Sequence, residues 1–412
     1  METHTHIGTA KTGDEVWLSP DERREHVAVI GATGVGKSSL LEHLVAQDIA
    51  RGDGILLIDP NGTLAEAVLE RVPPRRRNEV CYLHVGDLEW PVGLNILEDA
   101  HPDERAVIVD GVVAGMRAIW DSWGPRMEII LRHSATALIE VPNASLALLP
   151  RLLTDDAYRA SVVPRISNPF TRAFFEDRFE VWRETYRDEA IDPVLNKVEA
   201  FLSFPAVLNI LGQGHSTLHL EHAMERGRIV VVNLAKSQIG ETAAHLVGAL
   251  LIARVLAKLR TGLGQDFHLH VDEAHNVANR ALPLLFQEAR KHKVSVTIVT
   301  QYLEALTEAT RSAITGTART HAYFRLGQED ADRVAPSLNR LFQEFNPLRL
   351  QDLARGEAIL RMPGLDAKEV VVPAPIRGRG NAEAVKKQSR IHYGVRREDV
   401  EAKIMKALGF EK

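Results

Sequence analysis

Residues 26 to 39 read HVAVIGATGVGKSS, and the amphipathic run LLEHLVAQDIA follows them. Within the stretch, Gly31 to Ser38 fit the pattern G-x-x-x-x-G-K-[ST]. An apolar strand before the pattern and a helix after it are the context in which such a loop wraps phosphate. The expected nucleotide-binding segment is Gly31, Ala32, Thr33, Gly34, Val35, Gly36, Lys37, Ser38 and Ser39. Gly31, Gly34 and Gly36 allow the backbone N–H groups to close on phosphate oxygens where a Cβ would obstruct the turn. Lys37 supplies positive charge to the β and γ phosphates, and the Ser38 hydroxyl, at a helix N-terminus, is placed to ligate Mg²⁺. A plain glycine-rich turn would not need Lys-Ser at the helix start.

Two further strand ends carry chemistry. FHLHVDEAHNV delivers Asp272 and Glu273 at the end of an apolar strand. Beside a P-loop, an acid in the first position holds Mg²⁺ and an acid in the second polarises the attacking water, which points to hydrolysis. KVSVTIVTQ ends in Gln301, placed to sense the γ-phosphate or orient water. In QEARKHK, Arg290 and Lys291 end the intervening helical pattern. A base at a helix C-terminus is favoured by the helix dipole alone; an arginine finger reaching a neighbouring subunit is the functional alternative. Histidines appear in pairs at His4/His6, on a terminus that reads as mobile, and at His268/His270, alternating on a strand, and also at His215, His219 and His222, without cysteine or carboxylate partners at metal-ligand spacing.

Short apolar runs alternate with helical patterns, which predicts an α/β fold with a mainly parallel sheet. The strand candidates span 26 to 30, 54 to 59, 80 to 85, 228 to 234, 267 to 272, 295 to 300 and 321 to 326, with 358 to 362 and 369 to 373 as a final hairpin. Between about 103 and 225 the rhythm gives way to helical periodicity broken at Pro125, Pro142, Pro150, Pro164, Pro169, Pro193 and Pro205. The expected organisation is a discontinuous core, 1–102 and 226–373, with an inserted helical domain at 103–225. The remainder, 374–412, holds ten Lys/Arg against five Asp/Glu and reads as an exposed basic arm ending in a short helix.

The chain has 412 residues, a formal net charge of -5 and 45% hydrophobic residues. That length and composition suit a globular protein of one large interrupted domain or two domains. Its acidic balance argues against a surface coated in positive charge, though not against a local basic channel. The single cysteine, Cys81, cannot form an intrachain disulfide and fits a reducing, cytoplasmic setting. No run of about 18 uncharged apolar residues occurs; AAHLVGALLIARVLAKL at 243 to 259 carries His245, Arg254 and Lys258 and reads as a buried helix, so no intrinsic membrane span is expected.

With P-loop, DE strand and Gln strand in this order, the chain resembles the HerA/FtsK superfamily of motor ATPases, and more closely its TraG/TraD-like type IV coupling protein branch. IGTA with DERREHVAVIGATGVGKSSLLEHL, LLIDPNGTLAEAVLERVPPRR, WPVGLNILED, DSWGPRMEIILR, PVLNKVEAFL, IVVVNLAKSQIGE and FRLGQEDADRV carry the likeness over nearly the whole chain. It implies a RecA-like core, ATP and Mg²⁺ as cofactors, a hexameric ring and DNA as the translocated polymer. It further implies relaxosome or secretion-channel proteins as partners, reached at the inner membrane. On this sequence it makes Lys37 and Ser38 nucleotide and Mg²⁺ contacts, Asp272 the metal-holding acid, Glu273 the catalytic base and Gln301 the sensor. It also favours Arg290 as the finger and suggests Arg325 as a second basic contact at a subunit interface. Two departures stand out: the second strand ends in DPNGT rather than Asp-Pro-His/Lys-Gly-Asp, and the transmembrane helices of anchored members are missing here.

The resulting expectation is an ATP-driven DNA translocase, since a ring multiplies a few channel cations by its copy number. Two alternatives are a recruitment platform that uses ATP to assemble without translocating, and a GTPase-like switch. The latter rests on DPNG and NKVE, which lacks the guanine-reading Asp.

Overall fold

A computed structural model describes residues 4–98, 100–120, 122–277, 280–338, 345–375, 378 and 380–410. Two compact units divide the chain. The first comprises Met1–Tyr82, His222–Asn233 and Gly262–Ser389; the second comprises Leu83–Glu221, Leu234–Thr261 and Arg390–Lys412.

The strands are β1 (Thr5–Ala10), β2 (Glu15–Leu18), β3 (Val27–Ile30), β4 (Gly54–Asp59), β5 (Val80–His84), β6 (Ile229–Asn233), β7 (Phe267–Val271), β8 (Val294–Thr300), β9 (Thr320–Tyr323), β10 (Glu357–Arg361) and β11 (Lys368–Val371). Among the described residues they line up as one sheet in the order β2-β1-β11-β10-β9-β3-β8-β7-β4-β6-β5. The ladders joining β9, β3, β8, β7, β4 and β6 are parallel. Beyond β9 the pairing turns antiparallel through β10, β11, β1 and β2. Every residue of β3, β4, β6, β7 and β8 is buried, which is why these strands read as continuous apolar runs rather than alternating ones. On one face of the sheet, Leu40, Leu41, Leu44, Val45 and Ile49 of the helix Lys37–Arg51 pack with Val27, Val29, Ile55, Leu57 and Val299.

The expected strands are all present, and 357–371 forms the expected hairpin. The N-terminus is a correction, because the His4/His6 segment reads as a mobile end in the sequence. It instead begins an ordered hairpin: β1 pairs with β2 and with the distant β11, and the His6 amide donates to Gln47 Oε1 at 2.8 Å. The second unit also differs from a simple 103–225 insertion. The helix Glu241–Thr261 lies in it, packed on the helix Pro102–Ile119 with Gly111 so close to Ala253 that no Cβ would fit. By length and composition Glu241–Thr261 could cross a membrane, but 89% of that apolar window is buried inside the protein.

Pro125, Pro169 and Pro205 do start helices, where a missing N–H costs nothing, whereas Pro193 sits inside Glu184–Leu202 and does not break it. The expected basic arm is also more ordered than the sequence suggests. It forms the helices Ala382–Tyr393 and Arg397–Leu408, which bury Val385, Val400 and Ile404; Ile376, Arg377 and Arg379 lie outside the described residues.

His268 and His270 acquire carboxylate partners through tertiary structure. His270 Nε2 bonds Asp48 at 2.9 Å and His268 Nε2 bonds Asp53 at 3.2 Å. Asp48, Asp53 and His268 are close enough to share a cation, but Arg23 and Arg51 already pair with the two carboxylates. The fully buried Asp48 is held well below the carboxylate range despite burial, by His268 and Arg23.

Burial pushes His26, His270 and His321 each down to about 4. Each is therefore neutral in the folded state, while the unfolded chain takes up a proton below about pH 6.5. Their contribution to stability is complete above that pH and is lost as the pH falls from about 6.5 to about 4. The thermal midpoint should drop steadily across this window, and His270→Gln should flatten the slope of midpoint against pH; differential scanning fluorimetry at closely spaced pH values measures both.

Candidate functional site

The register of three parallel strands assembles the site. Ile30, the last residue of β3, lies opposite Thr300 of β8 and Tyr323 of β9. The chain then leaves the sheet: the Gly31 amide donates to the Thr300 carbonyl at 3.3 Å and the Ala32 amide to the Arg325 carbonyl at 2.8 Å. Gly31 is packed so tightly that a Cβ would lie 2.6 Å from the Phe324 Cβ. Gly36, at φ 116°, takes a left-handed turn that a side chain would resist, and the helix Lys37–Arg51 begins at once. The first helical bond of this segment runs from Leu40 N–H to Gly36 C=O at 3.1 Å. The amides of Lys37, Ser38 and Ser39 therefore sit in the turn whose N–H groups have no intrahelical acceptor, with the positive end of the helix dipole behind them.

Lys37 arches back over this loop, donating from Nζ to the Ala32 carbonyl at 2.7 Å. Burial lowers its pKa, and Asp272 and Glu273 counter that shift by favouring the charged ammonium. Asp272 follows β7, anchored by its own amide to the Ile58 carbonyl of β4 at 3.0 Å. It is buried and pushed up to about 7, first by burial and then by Asp59 and Glu273. Lys37 opposes that rise without cancelling it. Asp272 and Ser38, an exposed residue next to the Lys37 whose charge Asp272 supports, offer oxygen donors of the kind that suit a hard divalent cation such as Mg²⁺.

Glu273 departs from strand geometry, with φ 41° and ψ 58°. Its Oε1 accepts from Gln301 Nε2 at 2.9 Å, and Gln301 Oε1 accepts from the Thr33 hydroxyl at 3.2 Å. Its Oε2 accepts from Asn276 Nδ2 at 3.0 Å. A hydrogen-bonded chain thus connects the P-loop, the end of β8 and the end of β7.

The expected P-loop residues, Asp272, Glu273 and Gln301 come together in this way. Arg325 is exposed, one residue past the Phe324 that packs on Gly31. Arg290 does not join them: it sits after the helix Ala281–Ala289 with its side chain 60% exposed, paired with Glu25 at 2.8 Å. Glu25 precedes β3 and Gly31 follows it, so roughly 13 Å of strand separates that arginine's anchor from its own P-loop.

Two residues were not singled out in the sequence. Asp59 ends β4 and accepts amides from Asn61 at 2.9 Å and Ala65 at 2.8 Å; a carboxylate at a strand end, as at Asp272, was the available signal. The other is Asn276, for which sequence spacing gave no signal.

A phosphate loop at the end of a central parallel strand, with a carboxylate pair on a nearby strand and a glutamine between, defines a RecA-like P-loop NTPase core. Residues 5–76 match the family described as Helicase HerA, central domain. A 52-residue stretch is 36% identical to type 4 coupling protein DotL of Legionella pneumophila, covering 13% of this chain and 7% of that protein. The DNA double-strand break repair helicase HerA of Sulfolobus acidocaldarius is 25% identical over 319 residues, 73% of this chain and 55% of that protein. The chain therefore spans less than two thirds of either curated relative. In fold it is similar to the plasmid coupling protein TrwB, solved with ADP and Mg²⁺, at a TM-score of 0.67, 16% identity and coverage of 91% and 92%. Residues 5–76 thus resemble the HerA central domain, and the fold over most of the chain is similar to that of TrwB.

Gly31→Ala should force Phe324 and the P-loop apart, weakening binding of a fluorescent ADP analogue by at least about tenfold, because a Cβ cannot be absorbed between two backbones. Gly316→Ala, where a Cβ meets nothing within 4 Å, should leave that affinity unchanged.

Proposed function

We propose that this chain is an ATP-hydrolysing ring motor that binds and moves DNA, in the manner of conjugative and type IV secretion coupling ATPases. The observation that carries the reading is the Thr33–Gln301–Glu273 chain of hydrogen bonds beside Lys37 and Asp272. It joins a phosphate-holding loop to a carboxylate able to accept a proton from water.

In this reading Gly31 to Ser39 hold the phosphates of ATP, Lys37 neutralises their charge, and Ser38 and Asp272 hold Mg²⁺. The cation supplies charge stabilisation to the transferring phosphoryl group. Glu273 orients the attacking water and takes its proton, while Gln301 reports the state of the P-loop to Glu273.

The position of Arg290 supports a site shared between copies. It is exposed and anchored at the far end of β3, so it would serve the nucleotide of a neighbour in a hexameric ring, with Arg325 as a second basic contact at that interface. The second, largely helical unit would carry contacts to relaxosome or secretion-channel partners at the membrane.

Lys37→Ala, Glu273→Gln and Arg290→Ala should each lower DNA-stimulated ATP hydrolysis to a small residual rate, with Glu273→Gln still binding nucleotide. An arginine finger is worth about 10³ to 10⁵ in rate. Mixing Lys37→Ala with Arg290→Ala subunits should restore roughly a quarter of the wild-type rate, because one neighbouring pair in four then joins an intact P-loop to an intact finger. A monomer by native mass spectrometry, or a mixture as inactive as its parts, rejects the shared site; hydrolysis indifferent to DNA rejects the motor.

A further inference from the structure

Glu273 is held by more than Gln301. After Asp272 the backbone enters the left-handed region at Glu273, a conformation that a β-carbon makes costly. The short helix Ala274–Asn276 follows directly, and its last residue folds back on Glu273 in three ways. The Asn276 amide donates to the Glu273 carbonyl at 2.8 Å. Its side-chain Nδ2 approaches the same carbonyl at 3.3 Å and donates to Glu273 Oε2 at 3.0 Å. One residue therefore supports both the unusual backbone and the carboxylate that the backbone aims.

The carboxylate also determines how the Asn276 amide is turned. Glu273 Oε2 accepts hydrogen bonds, so the amide must present nitrogen, not oxygen, toward it. The same nitrogen lies 3.1 Å from His275 Nε2. With both its protons donating, Asn276 spans Glu273 and His275, and that ring nitrogen acts as the acceptor.

Gln301 occupies Oε1 and Asn276 occupies Oε2. Two amide donors on opposite oxygens fix the plane of a carboxylate that a single donor would leave free to rotate. Gln301 is tied in turn to Thr33 of the P-loop, so its hold depends on what that loop contacts. The bonds of Asn276 described above run to Glu273 and its neighbour His275, on the segment that follows β7.

We propose that Asn276 is a positioning residue for hydrolysis: it fixes the orientation of the Glu273 carboxylate toward the attacking water without contacting nucleotide. The proposal rests on the role of Glu273 given above. An amide donor is required here, not simply a side chain of this size. Asparagine supplies that donor at the right reach, while an aspartate of the same shape would offer only acceptors and a like charge.

The test compares Asn276→Ala and the isosteric Asn276→Asp in steady-state ATP hydrolysis and in titration with a fluorescent ATP analogue. Each variant is also made in the Glu273→Gln background. Both single variants should lose kcat by about 10- to 100-fold, the scale on which small misplacements of a reacting group act, with analogue affinity within about threefold of wild type. In the Glu273→Gln background neither substitution should lower the residual rate further, because the group it positions is gone.

If Asn276→Asp retains wild-type kcat, Asn276 only fills space and the proposal fails. Additive losses in the double variants overturn it equally, since they would place the action of Asn276 elsewhere. If Asn276→Ala does not fold, Asn276→Asp decides alone. Should Glu273→Gln itself hydrolyse ATP normally, the role of Glu273 is wrong; if Glu273→Gln is inactive and the Asn276 variants are not, only the present inference falls.

Discussion

Everything at the site depends on the register of one short strand. β3 contributes only four residues, held between β8 and β9 with Ile30 opposite Thr300 and Tyr323. That register presents the Thr300 carbonyl to Gly31 and the Arg325 carbonyl to Ala32, and it brings Gln301 within reach of Thr33. A slip of one residue would turn every β3 side chain to the opposite face and detach the P-loop from both neighbours. All four residues of β3 are buried, which makes such a slip costly. Because parallel strands require long crossovers, the register also draws together residues that are far apart in sequence: Lys37, Asp59, Asp272 and Gln301.

The two ends of this parallel sheet differ in electrostatic balance. At the N-terminal ends of the strands, Asp48 and Asp53 are met by Arg23, Arg51, His268 and His270, so the buried charges are paired. At the C-terminal ends, Asp59, Asp272 and Glu273 gather near one buried ammonium, Lys37, and Asp272 is pushed up to about 7. The helix Lys37–Arg51 links the two ends, starting in the P-loop and ending beside Asp53. The paired end stabilises the core, whereas the clustered carboxylates at the other end suit an added cation.

Much of this was legible in the sequence because it is local. Buried parallel strands leave unbroken apolar runs, and the P-loop, Asp272, Glu273 and Gln301 each stand directly after one. The features that were not legible depend on contacts between distant segments. β1 looks like a polar terminus until β11 supplies its partner. Asp48 and Asp53 meet the strand histidines only when the helix Lys37–Arg51 packs on the sheet. The helix Glu241–Thr261 follows a core strand in sequence, yet its apolar surface, including Ala253 against Gly111, assigns it to the second unit. Nor does a motif disclose that Arg290 is held by Glu25 at the end of the sheet opposite the P-loop.

The left-handed backbone at Glu273 follows from the same geometry. Successive residues of a strand point to opposite faces, so had β7 continued in extended form, Asp272 and Glu273 would have faced apart. Both nevertheless act on Lys37, and Glu273 reaches Gln301 at the end of the neighbouring strand. The positive φ at Glu273 breaks the alternation where two consecutive carboxylates both act on Lys37. Glycine would take that conformation without strain but would carry no carboxylate. The sequence therefore retains a strained glutamate, and the hydrogen bonds from Asn276 and Gln301 offset part of the strain while directing the group that the strain makes available.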